Sequence, residues 1–308
     1  MSRTAMTFWV LLVAGLAAPF LGYPIFLMKV LCFALFASAF NLLIGFTGLL
    51  SFGHAMFFGF AAYVSGHAAK VWGLTPELAI LAGTLSAAGI GAVTGWLAVR
   101  RQGIYFAMVT LALAQMIYFI CVQAPFTYAE DGIQSIPRGA LFGVVDLSGD
   151  RTMYYLVFAV FMLGLLGIYR IIHSPFGQVL KSIRENEARA LSLGYDVDRY
   201  KLVAFILSAG LAGLAGATKS LAFGLATLTD VSWQMSGEVV LMTLLGGMGT
   251  IFGPALGAAI IVTMQNYLSG LGSMVTIIMG ATFVACVLLF RRGIVGEIEH
   301  RLGRKTTG

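Results

Sequence analysis

The 308-residue chain is 59% hydrophobic and 10% charged, with 38 glycines and a formal charge of +6. Ordinary soluble domains carry roughly 25% charged residues, so this composition excludes a water-soluble globule. The basic balance does not point to nucleic acid either, because the Lys and Arg residues gather in short segments between apolar runs, where they set membrane topology.

Apolar runs occupy residues 7–20, 25–44, 49–69, 78–99, 104–122, 153–172, 202–223, 239–250, 254–271 and 274–290. Crossing roughly 30 Å of hydrocarbon takes about 17 to 25 apolar residues. The expected fold is therefore all-α: a polytopic membrane helical bundle of about 8–10 transmembrane segments, forming a single transmembrane domain over residues 1–308. In the first run, Ala17 and Ala18 resemble a weak cleavage site, but a second apolar run starts at Ile25, so residues 7–20 are expected to stay as a first span. Cys32, Cys121 and Cys286 lie in or at the ends of apolar stretches, without disulfide or metal spacing, and read as packing residues.

Arg100 and Arg101, the Lys and Arg residues of 173–201, and those between Arg291 and Lys305 should face the cytoplasm. Counting spans from Arg3 inside makes 123–152 an external loop, 173–201 a cytoplasmic loop, 291–308 a cytoplasmic tail, and both termini cytoplasmic. Lys29, Lys70 and Lys219 fall near outer span ends, where their stems are expected to snorkel.

Two stretches depart from plain spans. Residues 45–66 hold Gly45, Gly48, Gly53, Gly59 and Gly66 beside Ser51 and His54, and residues 245–257 read Leu-Gly-Gly-Met-Gly-Thr-Ile-Phe-Gly-Pro-Ala-Leu-Gly. Glycine at this density lets helices approach closely or break, and broken backbone at membrane depth must be buried or line a cavity. The run 239–250 is also short, so a broken or re-entrant helix is expected there and a second near Gly48.

Between 173 and 201, Ser174 is placed to cap a helix, Pro175 suits its first position and Gly194 suits the left-handed residue that ends one. Phe176, Val179, Leu180 and Ile183 recur at helical spacing, with Lys181, Arg184, Glu185, Glu187 and Arg189 on other faces. Periodicity alone leaves two readings open: a helix lying on the bilayer, or a docking surface for a cytoplasmic partner.

The run Ser174-Pro-Phe-Gly, followed by Arg184-Glu-Asn-Glu, Leu193-Gly194 and Tyr200-Lys-Leu, resembles the cytoplasmic coupling helix of ABC importer permeases of the LivM type, which serve branched-chain amino acid importers. Asn41-Leu-Leu-Ile-Gly-Phe-Thr-Gly-Leu-Leu-Ser-Phe-Gly-His54, Gly103-Ile-Tyr-Phe-Ala107 with Thr110-Leu-Ala-Leu-Ala-Gln115, and Gly246 to Gly257 are similar to blocks of the same family. One feature departs: Glu187-Ala188-Arg189 lies one residue too far from Gly194 for the general importer loop pattern, and no proline follows. The coupling region is therefore carried over as a region, comprising Arg184, Glu185, Asn186, Glu187, Ala188, Arg189 and Gly194.

The resemblance implies a second, homologous permease subunit, two ATPase subunits that bind ATP with Mg2+, an external solute-binding protein, and a bacterial inner membrane as the location. No cofactor is expected in this chain. The nearest string to a phosphate-binding loop, Gly213 to Ser220, has Thr218 where the glycine before lysine must stand.

Polar residues inside apolar runs, namely Asn41, Ser51, His54, Gln115, Gln265 and Asn266, either hydrogen-bond between helices or line a solute path. Every Asp and Glu is expected in a loop, tail or span end, which argues against a proton-coupled carrier. A stand-alone secondary carrier is the second hypothesis. A membrane-embedded enzyme is the weakest, because His54, His67, His173 and His300 are dispersed. For the solute, branched-chain amino acids lead, with urea, short amides or aromatic acids as the alternative within the same permease type.

Overall fold

The computed structural model describes residues 3–268, 270, 272, 274–289 and 293–297. Each apolar run within them becomes a helix: α1 (Arg3–Leu21), α2 (Pro24–Thr47), α3 (His54–Lys70), α4 (Pro76–Ala98), α5 (Ile104–Gln123), α6 (Asp150–His173), α9 (Val197–Phe223), α10 (Trp233–Gly246), α11 (Gly253–Leu268) and α12 (Met274–Leu289). Two further helices, α7 (Pro175–Glu185) and α8 (Glu187–Ser192), fill the segment between α6 and α9. Helices α2, α4, α5, α6 and α9 are long and apolar enough to cross a membrane. Most of the 291–308 tail and the Cys286 side chain lie outside the described residues; Cys32 and Cys121 are buried free thiols.

The chain builds its centre from α2 and α9. Helix α2 has no polar face, Lys29 being its single charged residue, and is buried along most of its length, as a helix enclosed by others must be. Helix α9 packs against α2, α3 and α4 through small residues. A Cβ on Gly216 would stand 1.8 Å from the Phe58 carbonyl oxygen, so only glycine lets α3 and α9 touch here.

The expected span 49–69 is interrupted. Gly48, at φ +79°, ends α2, and α3 begins only at His54. The intervening backbone is partnered by side chains: the Phe52 N–H donates to Thr110 Oγ1 at 3.2 Å and the Gly53 N–H to Ser51 Oγ at 3.2 Å. Non-helical backbone survives at depth on such terms.

The second break also differs from its sequence reading. The short run 239–250 is the end of a helix that starts at Trp233, because the polar residues of its first turns are housed: Ser236 Oγ accepts the Ala55 N–H at 3.0 Å, and Glu238 Oε2 accepts Gln265 Nε2 at 2.9 Å. With a rise of about 1.5 Å per residue, α10 spans roughly 21 Å, less than the hydrocarbon thickness. The chain turns at 247–252 and α11 runs back against α10; a Cβ on Gly257 would stand 1.9 Å from the Met242 carbonyl oxygen.

Two expectations about charge are corrected here. Glu238 lies inside α10 instead of at a span end, and Asp230, in the 3-10 turn Leu228–Asp230, is 2% exposed. Lys219 does not snorkel: its ammonium pairs with Asp230, whose other oxygen accepts Thr227 Oγ1 at 3.1 Å. Paired this way, the two charges need no water. Lys70 is exposed, donates to the Gln134 carbonyl at 2.7 Å and lies over the Tyr128 ring.

The loop expected over 123–152 folds down onto the C-terminal end of α9. Ile133 and Ala226 exchange backbone hydrogen bonds of 3.0 and 2.8 Å, and Arg138 joins Asp150 at 2.8 Å to the Ala222 carbonyl at 2.9 Å. A two-stranded hairpin, β1 (Ala140–Leu141) and β2 (Val145–Asp146), projects from it with Phe142 and Val144 exposed. The Ser148 hydroxyl and its N–H hold the Asp146 carboxyl below the usual carboxylate range.

Candidate functional site

The α7–α8 segment stands at the opposite end of the bundle. Ser174 Oγ accepts the Gly177 N–H at 3.3 Å and Pro175 occupies the first turn, as the sequence requires. Its apolar stripe is used by the chain itself: Leu180 and Ile183 are buried, Ile183 packs with Ala190 and Val197, and Phe176 stacks on Tyr200 at 5.5 Å. With that stripe covered, α7 has no free apolar face to lay on a bilayer.

Instead of one helix to Gly194, the chain breaks at Asn186, whose extended backbone (φ −157°) starts α8 and whose Oδ1 accepts the Arg189 N–H at 2.9 Å. Gly194, at φ +88°, closes α8 as expected. Glu187 ties α8 down: its carboxylate receives Lys201 Nζ at 2.6 Å and Gln102 Nε2 at 2.9 Å, with the Lys201 side chain 3% exposed. Glu185, Asn186, Ala188, Arg189 and Gly194 are exposed on the outer side, together with Leu191 and Leu193, which are 64% and 68% exposed. The result is a rigid, partly apolar ledge.

Arg184 behaves differently from its neighbours. Its guanidinium donates to the Gly45 carbonyl in the last turn of α2, its stem packs on Gly48, and Nη1 lies 3.2 Å from where a Cβ on Gly249 would stand. A cavity of about 520 Å³ opens beside it, lined by Phe46, Lys181, Arg184, Glu185 and Gly249. Lys181 lies over the Phe46 ring at 6.0 Å.

The polar residues of the interior fall into three groups. Asn41, 1% exposed, donates from Nδ2 to the Thr250 carbonyl at 2.8 Å and accepts the Gly249 N–H on Oδ1 at 3.0 Å, so it fastens the 247–252 turn to α2. His54, fully buried at the start of α3, pairs Nε2 with Ser208 Oγ at 2.8 Å among the rings of Phe40, Phe57 and Phe205. Ser208 spends its own proton on the Ala39 carbonyl at 2.6 Å, so the His54 Nε2 carries the hydrogen of the first bond. The non-helical 48–53 segment carries His54 to the level of Ser208, midway along α9. Ser51 is buried on the Gly53 N–H and Gln265 is held by Glu238. Asn266 is exposed on α11. Gln115 alone of the six is half-buried without a hydrogen-bond partner among the described residues.

Sequence reasoning passed over Thr110, Ser208, Ser236 and Lys201. Thr110 stood inside a quoted family block, and Lys201 beside the Tyr200-Lys-Leu match, so both had a signal. Ser208 and Ser236 had none, because a lone serine in an apolar run declares no partner.

A family described as branched-chain amino acid transport system, permease component, matches residues 6–287. The high-affinity branched-chain amino acid transport system permease protein LivM of Salmonella typhimurium is 26% identical, over 96% of this chain and 76% of its own length. LivM of Escherichia coli is 26% identical over 86% of this chain and 68% of its own, and the probable permease protein LivH of Methanocaldococcus jannaschii is 24% identical over 79% and 82%. No solved structure matches the chain. The family match runs through the Asn41, Thr110, Arg184 and Gly249 segments alike, and the chain belongs to the branched-chain amino acid transport permease family.

Proposed function

We propose that this chain is a membrane-spanning permease subunit of an ATP-driven importer for branched-chain amino acids, seated in a bacterial inner membrane with α7, α8 and both termini in the cytoplasm. The observation that carries this reading is the α8 ledge: two exposed leucines on a helix pinned by Lys201 and Glu187, at the end of the bundle richest in Lys and Arg. Burying each leucine against a partner is worth about 1.5–3 kcal/mol, which suits a stable cytoplasmic subunit. That partner is an ATPase pair, binding ATP with Mg2+; this chain contributes transport and no hydrolysis.

A second permease subunit, homologous as LivH is to LivM, would cover part of the exposed apolar face of α5, on which Met108, Met116 and Phe119 stand clear of the bundle. Gln115 lies at the edge of that face. An unpartnered amide facing lipid is costly, so Gln115 is the interior candidate best placed to meet solute or a partner. The clamped loop at the opposite end would receive the external binding protein, with Phe142 and Val144 of the hairpin foremost.

A stand-alone carrier has one observation in its favour, the carboxylate of Glu238 inside α10. Uptake of labelled leucine by cells that depend on this importer decides among the readings. The expected result is saturable uptake that stops when ATP is depleted and is competed by isoleucine and valine. Competition by urea, a short amide or benzoate alone would move the solute assignment, and uptake that follows the proton gradient without ATP would favour the carrier.

A further inference from the structure

Arg184 is exposed like its neighbours Glu185 and Asn186, but its guanidinium reaches the end of α2. From the end of α7 it bonds the last turn of α2 through the Gly45 carbonyl and stands beside the 247–252 turn, its Nη1 3.2 Å from where a Cβ on Gly249 would lie. Those two elements are themselves joined by the Asn41 amide, which binds both Gly249 and Thr250. Gly293 adds a further contact, its backbone packing against Gly247. Helix α7 otherwise packs mainly on α2, α6, α8 and α9, and the open cavity beside Arg184 separates its last turn from Gly249.

We propose that Arg184 is the positioning residue that carries movement of α7 into the bundle, linking the partner-facing ledge to the α10–α11 hairpin through Gly45, Gly249 and Asn41. This inference rests on the proposed importer function. A guanidinium suits the role, because its forked donors hold backbone oxygen at fixed geometry while its charge is stabilised by the carbonyl end of α2. Gly48 and Gly249, both with positive φ, keep side chains out of its way. The 247–252 turn, fastened to α2 by Asn41, would move with α2 and Arg184 as one body.

The test uses the complete importer purified with its ATPase subunits and reconstituted in vesicles, with leucine uptake and ATP hydrolysis measured together. Arg184→Ala is expected to keep ATP hydrolysis while uptake per ATP falls roughly tenfold or more, the scale of one lost charge-assisted hydrogen bond. Arg184→Lys, which keeps the charge and a single donor group, is expected to restore part of the ratio. Spin labels at Gln178 and Met248 give a second readout. Their separation should stay constant between nucleotide-free and ATP-trapped states in the parent, and change in Arg184→Ala. If that variant does not assemble, Arg184→Lys decides alone, with a several-fold lower ratio expected. A parent-like ratio and constant label separation in the assembled variant would overturn the inference and leave the importer reading intact. Absence of ATP-driven uptake in the parent would remove that reading, and this inference with it.

Discussion

The two glycine-rich breaks, 48–53 and 247–252, meet the same physical demand by different means. Both carry non-helical backbone inside an apolar bundle, where each N–H and C=O must find a partner. The first is satisfied from within the bundle, by Thr110 of α5 and Ser51 of the break itself. The second is satisfied in the same way, by Asn41 of α2 and Thr250 of the break itself. Arg184 of α7 stands beside both, its stem on Gly48 and its guanidinium near Gly249. Glycine density alone does not separate the two; the helix that supplies the partner does, α5 for the first and α2 for the second.

The strongest way to break this comparison is Asn41→Leu. It strands the half-buried Gly249 N–H and Thr250 carbonyl, at up to about 1–3 kcal/mol for each unsatisfied group. The purified protein should melt well below the parent in detergent, and an unchanged melting temperature would remove Asn41 from the account. Thr110→Val strands only the Phe52 N–H, so a loss of about 1–3 kcal/mol is expected, without the fall in uptake per ATP assigned to Arg184. Equal uncoupling from both variants would erase the distinction between the breaks.

Lys201→Met sharpens the other end of the linkage. Glu187 keeps Gln102 and some access to solvent, so the loss should be modest, about 1–2 kcal/mol, and local. Hydrogen exchange should speed up at α8 amides while α7 stays protected. Gly194→Ala is the mildest, costing about 1 kcal/mol for a left-handed residue with nothing crowding it. Its effect should be confined to faster exchange near the end of α8.

Much of this was legible in the sequence because hydrophobic length and helix punctuation are local signals. Most apolar runs, the Ser174–Pro175 start and the Gly194 stop appear where the residues place them; 49–69 and 239–250 are the exceptions. The break at Asn186 was written in its capping side chain but hidden by the continuous charge pattern around it. The non-helical segment before His54 was marked by glycines, although their number did not give its length. What could not be read was pairing at a distance. Lys219 resembled a snorkelling lysine because Asp230 lay beyond the span, and Asn41 was left between a helix-to-helix bond and a solute path because its partners stand more than two hundred positions away. Arg184 was read only as part of the coupling region, because its bond to the Gly45 carbonyl spans 139 positions.

The central claim is that the α8 ledge is where ATPase subunits dock, and site-directed crosslinking tests it most directly. In native membranes the account predicts that a photoreactive or thiol crosslinker at Leu193→Cys captures an ATPase subunit, while the same probe at Phe142→Cys, on the hairpin at the opposite end, does not. ATPase capture from Phe142→Cys, or none from Leu193→Cys in a chain that still supports uptake, would contradict it.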